Sequence, residues 1–288
     1  MTGKNHKDCV VLVTHRMDAS MLRYLRFLKE QVTEEMDFRI LFDCGAQQLN
    51  PEDYPDLQFH LFNSGQIENF FLGGCRRIPN PLLPLLDFAG KNDYRHYLVM
   101  EGDLAFTGDW RTFVRKIGGL DCDYIHIATD ITGDPRHWPG AMIKDYPFRR
   151  LYFAWCHLFC VSRKLLTDAG EFIKSNDSIY YEFLLPSLAY SKGYYIRQFE
   201  NFGYQFQVSW GPAEVYERKY VEERTENTFY HPIKNTAIID CDTPSLTKED
   251  IERLKGKLSR KEEELKAISD QLKKAGVLQV CDDLNFSQ

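Results

Sequence analysis

Two acidic residues directly follow an apolar segment in the first half of the 288-residue chain. Residues 97–100 read Y-L-V-M, and Glu101, Gly102 and Asp103 follow them directly. Because side chains two apart in an extended chain project to the same side, both carboxylates can face one point in space. Carboxylates at the end of a buried strand suit a hard divalent cation held against phosphate oxygens. The alternative is a Gly-Asp turn whose carboxylates meet only water.

More polar side chains stand where other predicted strands end. Thr14 and His15 follow the apolar run 9–13, and Asp43 follows the run 38–42. Ligands of open α/β sheets bind beyond the carboxyl ends of the strands, so these side chains are predicted to share one site with the acidic pair. The chain has no G-x-G-x-x-G after its first strand and no G-x-x-x-x-G-K-[ST], which argues against a dinucleotide dehydrogenase and a P-loop NTPase.

Strand and helix patterns alternate along the chain. Short runs rich in β-branched and aromatic residues predict strands, and apolar residues at helical spacing predict helices. The predicted strands cover residues 9–13, 38–42, 59–62, 97–100, 123–128, 152–161 and, as the last strand, 195–199. The predicted helices cover residues 19–31, 81–88 and 180–191, with others starting after 106 and at 162, and a loop is predicted over 130–147. This alternation predicts an α/β fold with a mostly parallel mixed sheet flanked by helices.

Composition restricts the class of protein. The 43% hydrophobic content supports one substantial core, and the 14% aromatic content favours an ordered domain. The formal charge of −6 gives no electrostatic support for nucleic-acid binding. The first residues lack the apolar stretch of a signal peptide, no run approaches membrane-span length, and the eight cysteines lack zinc-ligand spacing. We therefore expect a cytoplasmic protein with reduced thiols and no transmembrane segment.

Four motifs follow one another between residues 8 and 235. They are E-G-D at 101–103, a strand-like segment running into S-R-K-L-L at 155–166, Y-E-F-L-L-P at 181–186, and Y-H-P-I-K at 230–234. In this order the motifs resemble the GT-A class of nucleotide-sugar-dependent glycosyltransferases, whose D-x-D motif is replaced here by E-x-D. The resemblance implies a GT-A-like (Rossmann-like) catalytic domain, hexosyltransferase-like activity and a UDP- or GDP-sugar donor.

The resemblance also implies a divalent cation, Mn²⁺ or Mg²⁺, at the acidic motif. Such a cation acts as a Lewis acid on the charge of the departing phosphate. Asp103 is the expected direct ligand, and Glu101 either joins it or contacts the ribose hydroxyls or another donor group. His231 is the expected third ligand, because neutral imidazole coordinates Mn²⁺, and its alternative is a surface or core-lining histidine. The nucleotide sugar is expected to meet Thr14, His15, Asp43, Glu101 and Lys234.

The resemblance also implies a general base at the start of the helix that carries the third motif. Glu182 is the predicted base, which takes the proton of the acceptor hydroxyl. The alternative is a first-turn glutamate that the helix dipole favours, with Asp177 as the substitute base. The acceptor is expected to be a glycan or another hydroxyl compound, with Trp138, Trp155 and Tyr181 as candidates for stacking on a sugar.

The composition changes sharply near residue 244. Residues 247–275 are rich in Lys, Glu and Leu, and their apolar positions follow a 3-4 spacing that Lys261 interrupts. This pattern predicts a catalytic domain over 1–243 and a C-terminal extension over 244–288 that forms an amphipathic helix. The helix either associates weakly between chains as a coiled coil, which would make a homo-oligomer, or lies on its own domain.

The combined observations predict a metal-dependent glycosyltransferase that moves a sugar from a nucleoside diphosphate to a hydroxyl acceptor. A sugar-1-phosphate nucleotidyltransferase can share the sheet and the cation. It should carry a glycine-rich phosphate loop after the first strand, where this chain has V-T-H-R-M-D-A. A non-catalytic oligomerising scaffold is the other alternative, although such a protein would not need acids at several strand ends.

Overall fold

The computed structural model describes residues 7–45, 47–71, 79–130, 147–175 and 180–241, together with scattered positions between 256 and 271. The chain divides into two compact units, Met1–Cys241 and Asp242–Gln288. The described positions of the second unit are helical. None of the helices in the described part of the chain has both the length and the apolar character that a membrane crossing requires.

Strands and helices alternate along the first unit. Its described strands are β1 (Cys9–Thr14), β2 (Asp37–Asp43), β3 (Phe59–Phe62), β4 (His96–Glu101), β5 (Ala105–Phe106), β6 (Tyr124–His126), β7 (Thr129–Asp130), β8 (Phe153–Ala154), β9 (Leu158–Ser162), β10 (Ile196–Gln198), β11 (Gln205–Val208) and β12 (Thr228–His231). Its described helices are α1 (Ala19–Val32), α2 (Leu82–Lys91), α3 (Trp110–Gly118), α4 (Arg163–Ser175), α5 (Tyr181–Lys192) and α6 (Ala213–Glu222), and short 3₁₀ turns lie at Pro51–Asp53, Phe199–Phe202 and Thr236–Ile238.

Seven strands form the central sheet in the order β10-β6-β9-β4-β1-β2-β3. Neighbouring strands are parallel except at β9, which runs antiparallel to both β4 and β6. The residues of β1 and β4 are almost all buried, because a central strand of such a sheet is covered on both faces. The mostly parallel mixed sheet expected from the sequence is confirmed.

The direction of β9 brings its first residues to the carboxyl-end edge of the parallel strands. Met100 of β4 pairs with Leu158 of β9. The backbone N–H of Glu101 donates to the carbonyl oxygen of His157 at 3.1 Å. A residue just before β9 therefore lies beside the end of β4, where the acidic motif begins.

A second sheet, in the order β11-β12-β5, holds the Y-H-P-I-K segment next to the acidic motif. β12 pairs antiparallel with β5, which follows the E-G-D segment closely in the chain. The ring of Phe229 stacks on Phe106 with centroids 4.1 Å apart and on Phe206 with centroids 5.2 Å apart. Beyond the strand, Ile233 donates its N–H to the carbonyl oxygen of Asp103 at 2.8 Å. Non-local pairing and aromatic packing thus bring together two motifs that are distant in sequence.

Helix α5 is buried along most of its length. Every residue of Tyr181–Ala189 is buried, which reflects the nearly continuous apolar sequence of this helix. The helix ends at Gly193, whose φ of 68° is the left-handed conformation that glycine adopts without strain. Glu182, in the first turn, consequently lies inside the protein.

The predicted strand over 152–161 is wrong in its continuity. The structure has two strands there, and β8 pairs with β7 whereas β9 pairs with β4 and β6. The break occurs because the N–H of Cys156 donates to the carboxylate of Glu182 instead of to a neighbouring strand. The segment 195–199 is also not the last strand, since β11 and β12 follow it. Most of the predicted loop over 130–147 lies outside the described residues.

Candidate functional site

The acidic motif turns tightly past the end of β1. Gly102 donates its N–H to the carbonyl oxygen of Val13 at 2.9 Å. A Cβ atom on Gly102 would lie 2.9 Å from the Cβ of Thr14, closer than such atoms normally approach. A glycine therefore stands between the two acids because the neighbouring strand leaves no room for a side chain.

His231 joins the two carboxylates of the acidic motif. Its Nε2 lies 2.8 Å from Oε2 of Glu101 and 3.2 Å from Oδ1 of Asp103. Its Nδ1 lies 3.2 Å from the carbonyl oxygen of Ser209, which can accept a hydrogen bond from that nitrogen. Burial would lower the pKa of His231, but the charge of Asp103 and the hydrogen bonds that the ring donates to both carboxylates raise it to about 10. The predicted convergence of Glu101, Asp103 and His231 is thus observed in the structure.

His157 is a fourth member of this cluster and was not among the residues predicted from the sequence. Its Nδ1 lies 3.2 Å from Oε2 of Glu101, and its ring stacks on the ring of His231 with centroids 3.6 Å apart. Burial and the nearby His231 lower the pKa of His157. The other oxygen of Glu101 accepts a hydrogen bond from the hydroxyl of Tyr181 at 3.3 Å. Burial would raise the pKa of Glu101, but the two histidines hold it well below its usual range.

The donor set fits a divalent transition-metal ion. Glu101, His157 and His231 each present one potential ligand atom, and these atoms lie within 4.8 Å of one another. Asp103 adds an oxygen beside His231, and its pKa is lowered by that histidine and by Lys234 despite its burial. Mixed carboxylate and imidazole donors suit Mn²⁺ and its transition-metal neighbours better than Mg²⁺.

A cleft of about 470 Å³ adjoins the acidic motif. Its walls combine aromatic side chains, such as Phe62 and Phe70, with polar groups from several strand ends. All the side chains predicted to contact a nucleotide sugar line it, namely Thr14, His15, Asp43, Glu101 and Lys234. The structure thus brings these side chains to one surface, and their roles there stay predictions.

Several charged side chains that line the cleft have partners in the structure. The ammonium group of Lys234 pairs with Oδ2 of Asp103, and the guanidinium of Arg16 donates to the carbonyl oxygen of Lys234. Burial and the charge of Lys234 lower the pKa of His15, which favours a neutral imidazole. Oδ1 of Asp43, which also lines the cleft, accepts hydrogen bonds from the N–H groups of Gly45 at 2.8 Å and Ser64 at 2.9 Å.

The two residues predicted as general base are placed differently. Glu182 is fully buried and does not line the cleft. Its Oε1 accepts the N–H of Cys156 at 3.1 Å, and burial raises its pKa well above the ordinary value. Asp177 lies outside the described residues, as does Trp138. Trp155 is half-buried, and Tyr181 is buried with its hydroxyl against Glu101.

One sequence signal could have found His157. It is the only acidic or basic residue in the apolar stretch 152–161. A lone histidine in such a stretch does not reveal its partner, because its contact with Glu101 depends on the antiparallel pairing of β9 with β4.

Comparisons with known proteins give structural likenesses only. No protein-family model and no curated protein matches the sequence. An active-site mutant of LgtC has a TM-score of 0.42 and 9% identity, covering 83% of this chain and 84% of that one. The galactosyltransferase LgtC in complex with donor and acceptor sugar analogs has a TM-score of 0.42 and 11% identity, covering 66% of this chain and 72% of that one. A putative glucose-1-phosphate thymidylyltransferase from Bacillus anthracis has a TM-score of 0.41 and 13% identity, covering 67% of this chain and 85% of that one. Likenesses at this level carry no argument about what the chain does.

Proposed function

We propose that this protein is a metal-dependent glycosyltransferase of GT-A type, which moves a sugar from a nucleoside diphosphate to a hydroxyl acceptor. One observation carries the proposal. Nε2 of His231 lies within 3.2 Å of a carboxylate oxygen of both Glu101 and Asp103, and the two acids also line the cleft. A cation held there would lie next to a cavity in the size range of small-molecule sites, which is about 300–1,000 Å³.

The cation would be held by Asp103, Glu101 and His231. It would supply Lewis-acid stabilisation of the negative charge on the departing diphosphate. Lys234 would add a second positive charge, because its ammonium group already reaches the carboxylate of Asp103 from the cleft. The cation and this lysine are both suited to bind a diphosphate.

The nucleoside would lie along the strand-end residues of the cleft. Oδ1 of Asp43 is occupied by two backbone donors, whereas Oδ2 has no hydrogen-bond partner among the described residues. That oxygen would accept a hydrogen bond from the base or the ribose. Thr14 and the neutral His15 would line the path from the nucleoside to the cation.

The loop after β1 argues against a nucleotidyltransferase. A nucleoside triphosphate held there would need free backbone N–H groups at the start of α1. The carboxylate of Asp18 already accepts the N–H groups of Ser20 and Met21, both at 3.0 Å. An incoming phosphate would meet that negative charge, and residues 14–18 contain no glycine to let it approach.

The general base stays a prediction. Glu182 is close enough to the cluster for its pKa to be influenced by Glu101 and His231. Burial raises its pKa, which disfavours the carboxylate form that a base needs, and the residue would have to gain access to the acceptor before acting as a base. Asp177 is the alternative base.

The proposal is tested by calorimetric titration of UDP and GDP into the protein with Mn²⁺, with Mg²⁺ or with chelator. We expect binding of one of the two that depends on Mn²⁺, and loss of that dependence in Asp103→Asn. The matched control is Asp53→Asn, an exposed acid in a 3₁₀ turn away from the cleft. Nucleoside diphosphate released from a nucleotide sugar would support the transferase, whereas pyrophosphate released from a triphosphate and a sugar phosphate would overturn it.

A further inference from the structure

We propose that His157 is a positioning residue of the cation site, which holds the carboxylate of Glu101 and the ring of His231 in the orientation that binds the ion. The inference rests on the proposed function, since it concerns the same cation. His157 lies just before β9, outside both the E-G-D and the Y-H-P-I-K motifs.

Glu101 is held from the protein side at both of its oxygens. The hydroxyl of Tyr181 donates to Oε1 at 3.3 Å, and Nδ1 of His157 lies 3.2 Å from Oε2. A carboxylate only accepts hydrogen bonds, so the hydrogen of the imidazole belongs on Nδ1. With both oxygens held in this way, the remaining lone pairs of Glu101 are directed before an ion arrives.

The stacked rings divide the roles of the two histidines. A metal ion bound by imidazole lies in the plane of the ring, along the lone pair of the nitrogen. The rings of His157 and His231 are 3.6 Å apart and only 20° from parallel, so one ion cannot lie in both planes near both nitrogens. His231 faces Glu101 and Asp103 through Nε2 and is therefore the ligand. His157 faces only the carboxylate of Glu101 and supports it.

The position of His157 is itself rigid. Its side chain is 2% exposed, and its ring also stacks on Trp155 with an interplanar angle of 22°. The carbonyl oxygen of the same residue accepts the N–H of Glu101, which ties the two backbones together. A support of this kind fixes a ligand without touching the ion, and losing such a support costs about 10–100-fold in metal affinity.

Two variants separate the effect of the hydrogen bond that His157 donates from the effect of its stacked ring. In His157→Asn the amide nitrogen can take the place of Nδ1 and still donate to Glu101, whereas His157→Phe keeps a stacking ring without a donor. Mn²⁺ affinity is measured directly from the electron paramagnetic resonance signal of the free ion, with no sugar donor present. We expect His157→Phe to bind Mn²⁺ about 10–100-fold more weakly than the wild type, and His157→Asn to recover most of that loss.

A double-mutant cycle shows whether the effect passes through Glu101. In a Glu101→Gln background, His157→Phe should produce little further loss of Mn²⁺ affinity. His126→Phe is the matched control, because His126 is also fully buried, lies on the neighbouring strand β6 and does not belong to the cluster. Should His157→Phe fail to fold, Tyr181→Phe removes the other donor to Glu101 and keeps the ring, and we expect it to weaken Mn²⁺ binding as well.

Each outcome bears on the inference. Unchanged Mn²⁺ affinity in His157→Phe or, if that variant does not fold, in Tyr181→Phe, or an equal loss in the Glu101→Gln background, would overturn the positioning role and leave the glycosyltransferase proposal standing. A wild-type protein that does not bind Mn²⁺ would overturn the metal-dependent function, and the positioning role with it.

Discussion

The affinity of the site for Mn²⁺ should depend steeply on pH, because His231 must lose a proton before it can bind a metal ion. Burial alone would favour the neutral ring, but Asp103 and Glu101 raise the pKa of His231 to about 10. The proton and the metal ion therefore compete for the same nitrogen. Mn²⁺ binding should strengthen as the pH rises towards 10.

The size of this pH effect on Mn²⁺ affinity follows from the difference between the pKa of His231 and the pH of the measurement. At pH 7 only about one ring in 10³ would be neutral without metal, so the competition costs about 4 kcal/mol of binding free energy. Within this range each pH unit should change the affinity about tenfold. Between pH 6.5 and 8.5 the gain should be about 100-fold.

Calorimetry in two buffers of different ionisation enthalpy measures the proton directly. We expect about one proton to leave for each Mn²⁺ bound near pH 7. His231→Gln should bind Mn²⁺ more weakly and with a much flatter pH profile. A wild-type profile that is flat, with no proton released, would show that His231 is either already neutral or not a ligand, and would refute this reasoning.

The raised pKa of His231 also makes the stability of the metal-free protein depend on pH. A histidine whose pKa is raised on folding adds stability that is fully present below its unfolded pKa of about 6.5. That contribution is lost as the pH rises through about 10. The melting temperature in the presence of chelator should therefore fall over this window, and the fall should be smaller in His231→Gln.

Three further variants test the placement of other parts. Gly102→Ala should lower the free energy of unfolding by about 1–3 kcal/mol and weaken Mn²⁺ binding, because the added methyl group would lie 2.9 Å from the Cβ of Thr14. Wild-type stability in a denaturant titration together with wild-type Mn²⁺ affinity would contradict the tight packing. Glu182→Gln should cut turnover by roughly 10²–10⁴-fold with donor affinity near wild type if Glu182 is the base, and an active variant would give that role to Asp177 or point to a retaining mechanism. Because burial raises the pKa of Glu182, the folded wild type loses stability relative to the unfolded chain as the pH rises above 4.5. Glutamine does not ionise, so the melting temperature of Glu182→Gln should rise relative to that of the wild type over this range. A chain ending at Asp242 should still bind nucleoside diphosphate with Mn²⁺, since the compact unit that contains the cluster ends at Cys241; light scattering would show whether truncation also lowers the oligomeric state, and loss of donor binding would show that the extension supports the site.

Local sequence was sufficient for most of the central sheet. β1, β2 and β3 lie within a residue or two of the predicted strands, because short apolar runs rich in β-branched and aromatic residues have few alternatives to a buried strand. The same patterns located Thr14, Asp43 and the acidic pair at strand ends. In a parallel sheet all such ends meet at one edge, so their position around one cleft could be predicted from the sequence alone.

The tertiary structure alone decided the composition of the cluster. His157 reaches Glu101 only because β9 runs antiparallel to β4 in one register, and a shift of one residue would turn its side chain to the other face. His231 reaches the acids because β12 pairs with β5, and Glu182 breaks the predicted strand by accepting the N–H of Cys156. These contacts join residues tens of positions apart, and their geometry depends on the packing of whole elements. The sequence by itself therefore determined which residue types stand at the strand ends, and the pairing of distant strands decided which of them meet.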